Sequence, residues 1–210
     1  MYIYQPFRNS LRKQIGNHAS VVHGKVLDVG AGSFDRYSGL FTYDSYARMD
    51  IKGTANVDVY GVAEDIPFPD ESFDSIVCTQ VLEDTKDPKK ALAEMHRTLK
   101  KGGVLLLTTG FLAPICGDPT DSWRFTDYGL QKLFTEASFE VKDHEPVGGF
   151  WGVMVQSFMR HLTNKYDIYH RWYRSPFSFL VKIVGKFADR LDRNGDNLFA
   201  HGFLIIGEKI

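Results

Sequence analysis

Short apolar runs alternate along this chain with segments whose apolar residues recur every three or four positions, the pattern of a mostly parallel sheet wrapped by helices. Seven runs read as strands, at residues 25–29, 47–51, 57–62, 73–79, 104–109, 139–144 and 202–208. The sharpest helix signal is "DPKKALAEMHRTLKKGG": Asp87 can cap it, Pro88 suits its first turn, and Lys100, Lys101 and Gly102 are expected to close it. A second helix is expected from about Thr126, with Leu130, Leu133, Phe134 and Ala137 on one face. Helices therefore fall on both faces of the sheet, and residues 1–24 precede it as an N-terminal cap segment.

The approach to the last strand is unusual. About 50 residues, 149–198, separate it from the sixth, too many for a plain loop in a compact domain. Within them Phe177, Leu180, Val184, Phe187 and Leu191 recur at helical spacing, with Ser175 and Pro176 as a start and Asn194 and Gly195 as a stop. This insertion is expected to be helical and lid-like.

Composition narrows the function. At 210 residues the chain suits one domain with a substantial core, and 25 basic residues against 26 acidic ones give no global field for nucleic acid. Two well-separated cysteines, Cys78 and Cys116, fit a reducing, cytoplasmic setting and form no zinc motif. The start, "MYIYQPFRNSLRKQ", turns polar before the apolar stretch of a leader develops. The long uncharged runs, residues 102–117 and 146–159, fall short of the roughly 20 residues of a membrane-spanning helix.

The first strand leads into a glycine turn, "KVLDVGAGSFDRY". In an open parallel sheet ligands sit at the carboxyl ends of the strands, where Gly30 and Gly32 let backbone approach a ligand closely. A dinucleotide fingerprint needs a third glycine at position 35, which is Asp35. What remains is an acid two positions before the first glycine, Asp28, and a second acid about 20 residues on, Asp50, where a carboxylate can accept both ribose hydroxyls.

With "VLDVGAGS", Asp50, "EDIPFPDESFDSIVCTQVLED", "LAEMHRTLKKGGVLLLT" and the terminal "HGFLIIGEK" in order, the chain resembles the class I S-adenosylmethionine-dependent methyltransferases, in the subgroup that resembles quinone-biosynthesis enzymes. The resemblance implies a single Rossmann-like α/β methyltransferase domain over residues 1–210, whose last strand is antiparallel and inserted beside its neighbours. It implies S-adenosylmethionine as cofactor, with Asp28, Gly30 and Gly32 at the methionine end, Asp50 on the ribose, Asp65 and the Ile66 backbone on adenine, and Thr79 and Gln80 beside the sulfonium. Two positions depart from the pattern. Phe34 replaces a small residue and either turns into the core or covers the cofactor, or crowds its amino-acid end; Asp84 replaces a histidine.

Several residues bear on the acceptor. "GDPTDSWRFTDYGL" resembles the "HPxDxxRxT" segment of subgroup members associated with cell-surface glycans, with Asp118 in place of the histidine. Asp121 can deprotonate an acceptor hydroxyl while Arg124 pairs with an acidic group; alternatively the two form a salt bridge bracing the loop, with Thr126 as a helix cap. Asp118 and Asp121 lack a third ligand for a metal. His144 and His201, at strand edges, are further candidate bases, whereas Cys78 reads as core packing.

From residue 160 to 193 there are eight Lys or Arg and three Asp or Glu, interleaved with aromatics that include Tyr166, Tyr169, Trp172 and Tyr173. That segment suits a lipid-linked or anionic glycan, an anionic membrane surface, or a homodimer contact. The expected reaction is O-methylation of a sugar, glycan or other small molecule. The alternatives are C- or N-methylation of a quinone-like or aromatic compound, and a non-catalytic scaffold that binds the cofactor.

Overall fold

The computed structural model describes residues 6–115, 120–166, 176–192 and 199–210. The expected helix start at Ser175 and stop at Asn194 and Gly195, together with Cys116, Asp118, Pro119, Tyr169, Trp172 and Tyr173, lie outside the described residues.

Seven strands form one sheet: β1 (Lys25–Val29), β2 (Ser45–Asp50), β3 (Val59–Tyr60), β4 (Phe73–Thr79), β5 (Leu99–Gly110), β6 (Phe139–Val147) and β7 (Gly202–Lys209). Their order is β3-β2-β1-β4-β5-β7-β6. The first five run parallel and the last strands are antiparallel, as expected. β1 and β4 are neighbours although two strands lie between them in sequence, so the chain reverses its direction of travel across the sheet at that junction. A crevice opens at such a switch, beyond the carboxyl ends of the strands.

The central strands are buried on both faces and read as continuous apolar runs. Leu27 and Val29 in β1, Ile76 and Val77 in β4, and Leu105, Leu106 and Leu107 in β5 are sealed from solvent. Helix α2 (Pro88–Thr98) starts as expected: the Asp87 carboxylate accepts the N–H groups of Lys89 and Lys90. It ends earlier than expected. Lys100, Lys101 and Gly102 belong to β5, because Leu99 already pairs with Phe73 and the Thr98 carbonyl accepts the N–H of Ser72. The charge read as a helix stop is used across strands instead, with Lys100 Nζ 2.7 Å from the Asp74 carboxylate.

Helix α3 (Asp127–Glu136) is capped by the Thr126 hydroxyl, which accepts the N–H of Gly129, and it buries Leu130 and Phe134. Two further helices occupy the expected insertion, α4 (Phe150–Tyr166) and α5 (Pro176–Leu191). The N-terminal segment holds a helix that the pattern reading passed over, α1 (Pro6–Asn17). Its signal is the four-residue spacing of Phe7, Leu11 and Ile15, the last two fully buried.

The chain gathers into two compact units. One comprises Met1–Gln14, Phe111–Ile115 and Pro146–Gly202, and so takes in α4 and α5; the other comprises Ile15–Gly110, Cys116–Glu145 and Phe203–Ile210 and carries nearly all of the sheet.

Candidate active site

The turn after β1 is shaped by two glycines in the left-handed region, Gly30 at φ 72° and Gly32 at φ 67°. At Gly30 a β-carbon would lie 2.1 Å from Val81 Cγ2, so the β1 and β4 loops close on each other only without a side chain there. At Gly32 a β-carbon would meet nothing within 4 Å, so the positive φ and not crowding is what favours glycine there.

β2 holds this turn from the other side. The Met49 carbonyl accepts the N–H groups of Gly30 and Ala31, and the Arg48 guanidinium donates to the Gly32 carbonyl at 2.7 Å. Arg48 escaped the sequence reading; its signal is a lone arginine in the strand "SYARMD". Asp50 ends that strand, and its Oδ2 accepts the Gly32 N–H at 2.6 Å while Oδ1 accepts the N–H of Ile51 and the hydroxyl of Thr54. Asp35, where a third glycine would pack a helix in a dinucleotide site, instead accepts from the backbone and hydroxyl of Ser38 and starts a short helical turn. Phe34 is 63% exposed and lies off the cavity wall, so its ring does not fill the turn.

Beside the turn lies a cavity of about 570 Å³. Of the eight residues expected at a cofactor, Gly30, Asp50, Asp65 and Gln80 line it, as does Asp84, the residue in place of histidine. The other four occupy different positions. Asp28 is buried behind the turn, where its Oδ2 accepts the Tyr46 hydroxyl at 2.9 Å and its Oδ1 has no hydrogen-bond partner. Burial pushes its carboxyl up to about 7 against the pull of that hydrogen bond and of Arg48. Gly32 reaches the site through Asp50, and Thr79 ends β4 one residue short of the wall. Ile66 is buried, its N–H donated to Glu94 and its carbonyl accepting from Arg97.

Gln80 sits in the left-handed region at φ 57° although it is not glycine. Its N–H donates to the Thr108 carbonyl at 2.8 Å, so β5 holds the conformation. A backbone held in a sparsely populated region on a cavity wall is typical of a functional position.

Another residue missed from sequence, Glu83, organises the far side. Its buried carboxylate accepts the Thr109 hydroxyl at 2.7 Å and the Gly110 N–H at 3.2 Å, and its carbonyl accepts the N–H groups of Ser122 and Trp123. Burial raises its pKa, the hydrogen bonds opposing. The Thr120 hydroxyl donates to the Asp84 carbonyl and the Trp123 indole to the Thr85 carbonyl. The segment after β5 is thereby laid against the turn that follows β4, and Thr120 joins the cavity wall.

None of the four residues expected as bases or acceptor contacts lines that cavity. Asp121 and Arg124 form a two-pronged ion pair, with Arg124 also donating to the Trp123 carbonyl and Thr126 capping α3. That is the bracing arrangement. His144 faces Asp127 at 3.1 Å at the start of α3. His201 is wholly buried, with neither ring nitrogen hydrogen-bonded and its ring 4.7 Å from that of Phe7; burial lowers its pKa to about 4. A neutral imidazole packed on a phenyl ring is a core residue.

A sheet with this strand order, a glycine turn after β1 and an acid at the end of β2 define a nucleoside-type site in a Rossmann-like fold. Residues 27–107 match the methyltransferase domain family. The phosphatidylethanolamine N-methyltransferase of Cereibacter sphaeroides is 24% identical over 66% of this chain and 81% of its own length. A ubiquinone/menaquinone biosynthesis C-methyltransferase of Pasteurella multocida is 31% identical over 50% of this chain, and the chain spans less than half of that relative, 47%. Among solved structures, phosphoethanolamine N-methyltransferase 2 of Haemonchus contortus, in complex with S-adenosyl-L-methionine, superposes with a TM-score of 0.60 at 13% identity, over 96% of this chain and 52% of that one. Over residues 27–107 the chain carries the match to a methyltransferase domain, and it resembles the class I S-adenosylmethionine-dependent methyltransferases, among them quinone-biosynthesis enzymes.

The residues present fit that cofactor. Gly30 brings bare backbone to the cavity wall, Asp50 retains lone pairs for hydroxyl donors, and the unpartnered Asp28 Oδ1 is an acceptor in need of a donor. When bound, the cofactor supplies an electrophilic methyl group on a sulfonium.

Proposed function

We propose that this protein transfers a methyl group from S-adenosylmethionine to a polar atom of a small-molecule acceptor, with a hydroxyl of a sugar or glycan as the first acceptor class. The observation that carries this reading is one cavity whose wall holds both the nucleoside residues, Gly30, Asp50 and Asp65, and a second polar group, Gln80, Asp84 and Thr120. The first group binds and orients the donor; the second positions an acceptor for in-line attack, and positioning supplies much of the acceleration of such a displacement. Asp84 is the candidate base or acceptor contact, because it is on the wall and Asp121, one of the candidates from sequence, is not.

A specific observation also favours an amine acceptor. Asp84 places a carboxylate where the subgroup has histidine, a group suited to hold an ammonium. The relative from Cereibacter sphaeroides is named for methylation of an amine.

The test is calorimetric titration with S-adenosylmethionine and S-adenosylhomocysteine, followed by an acceptor screen read as S-adenosylhomocysteine release from nucleotide sugars, glycans, quinones and ethanolamine compounds. Asp50→Ala should weaken cofactor binding by about 1–3 kcal/mol through loss of charge-assisted hydrogen bonds. Unchanged affinity in that variant would remove Asp50 from the ribose site. Binding without turnover on any acceptor class would favour the scaffold alternative.

A further inference from the structure

Among the described side chains of α4 and α5, large apolar residues are exposed and small ones are buried. In α5 the positions turned inward are small, Gly185 and Ala188, whereas Ile183, Phe187 and Leu191 are exposed, Phe187 at 61%. In α4 Gly152 and Val153 are buried while Trp151, Met154 and Phe158 are exposed along one stripe, Phe158 at 62%. Small inward residues let the two helices pack closely. The Asp192 carboxylate fixes the pair by accepting the N–H groups of Trp151 and Gly152 at the start of α4.

Large apolar side chains repeating every three or four residues along the exposed side of each helix form an apolar stripe on each, unlike the scattered apolar residues of ordinary protein exteriors. Charge identifies what that surface fits. Lys186 and Arg190 are exposed on α5, one helical step to the side of the apolar stripe. Asp192 spends its charge on the α4 N-terminus, and residues 160–193 carry eight basic against three acidic side chains. An apolar face with tryptophan and phenylalanine, bordered by lysine and arginine, is the arrangement of helices that lie in the plane of an anionic bilayer surface. Neither helix is long and apolar enough to cross a membrane, among the described residues.

We propose that α4 and α5 form a face that seats on an anionic lipid surface, with the apolar stripes in the acyl boundary and Lys186 and Arg190 at the head groups. This inference holds whichever acceptor is methylated, so its failure and the failure of the methyl-transfer reading are separable.

The experiment is co-sedimentation of the full chain with phosphatidylcholine vesicles and with vesicles containing about 30% phosphatidylglycerol. The expected result is binding to the anionic vesicles and much weaker binding to the neutral ones. A Phe158→Ser/Phe187→Ser double variant should lose about tenfold or more in partition, and Lys186→Glu/Arg190→Glu should lose the preference for anionic lipid. Both variants should keep the melting temperature and the cofactor affinity, since the altered side chains are exposed. Failure to bind either vesicle, or binding that neither variant changes, overturns the proposal. So does a concentration-dependent dimer in sedimentation velocity that the phenylalanine variant abolishes, because the face would then belong to a second copy of the chain.

Discussion

The sheet and the two insertion helices use apolar side chains in opposite ways. In β1, β4 and β5 the large aliphatics are sealed inside, and glycine appears where the backbone must turn or approach. In α4 and α5, among the side chains described, Gly152, Val153, Gly185 and Ala188 are inside, while Trp151, Met154, Phe158, Ile183, Phe187 and Leu191 face outward. The difference teaches that an apolar residue reports a nearby non-aqueous surface but does not say whose. In the sheet that surface is the protein's own core, and the energy of burial goes into stability. On the helices the same energy remains available for a partner.

Truncation in the sheet gives the widest separation between the regions. Ile76→Ala should cost about 2–5 kcal/mol in denaturant unfolding, because Ile76 is fully buried and its neighbours cannot collapse into the space. A cost near zero would deny that β4 lies in the main core.

Acid should single out the other unit through His201. Its folded pKa, about 4, lies below the ordinary value of 6.5, so the unfolded chain takes up a proton first. Stability is complete above pH 6.5 and should decline as pH falls toward 4, by about 3 kcal/mol in total from this one group. His201→Leu should flatten that limb in unfolding measured across pH; an unchanged slope would mean the ring is not held neutral.

Gly30→Ala probes the turn itself. The contact with Val81 and the positive φ together should cost about 2–3 kcal/mol of stability, with cofactor affinity falling as well. Retained affinity and stability would show that the two loops separate freely. At the small end, Phe34→Ala and Phe187→Ser should each change unfolding free energy by less than about 0.5 kcal/mol, since both rings are exposed. A larger loss for Phe187 would place it in a packed interface of the chain.

The strands were legible because their side-chain pattern is local: four of the seven begin at the expected residue, and β2 starts two residues early, at Ser45, which pairs with Lys25. The exceptions have physical reasons. β5 starts early, at Leu99, because pairing with Phe73 captures residues whose own chemistry reads as a helix end. β3 shrinks to Val59–Tyr60, where only two residues pair with β2. The candidate site was legible on its nucleoside side, since Gly30, Asp50, Asp65 and Gln80 lie in contiguous motifs. It was less so on the acceptor side. Arg124 three residues after Asp121 suits a catalytic pair and a salt bridge equally, and Glu83 gives no sign in sequence that its carbonyl anchors Ser122 and Trp123.

By itself, the sequence determined the alternation of strands and helices, the caps at Asp87 and Thr126, the glycine turn and the acid that follows it, since each depends on residues within a few positions of one another. Tertiary structure alone decided that Phe34 lies off the cavity wall and Asp84 on it, that Asp121 pairs with Arg124, that His201 is buried against Phe7, and that Ile183, Phe187 and Leu191 of α5 face outward. Those outcomes depend on which distant segments meet, and a side chain's role is set by the neighbours that folding brings to it.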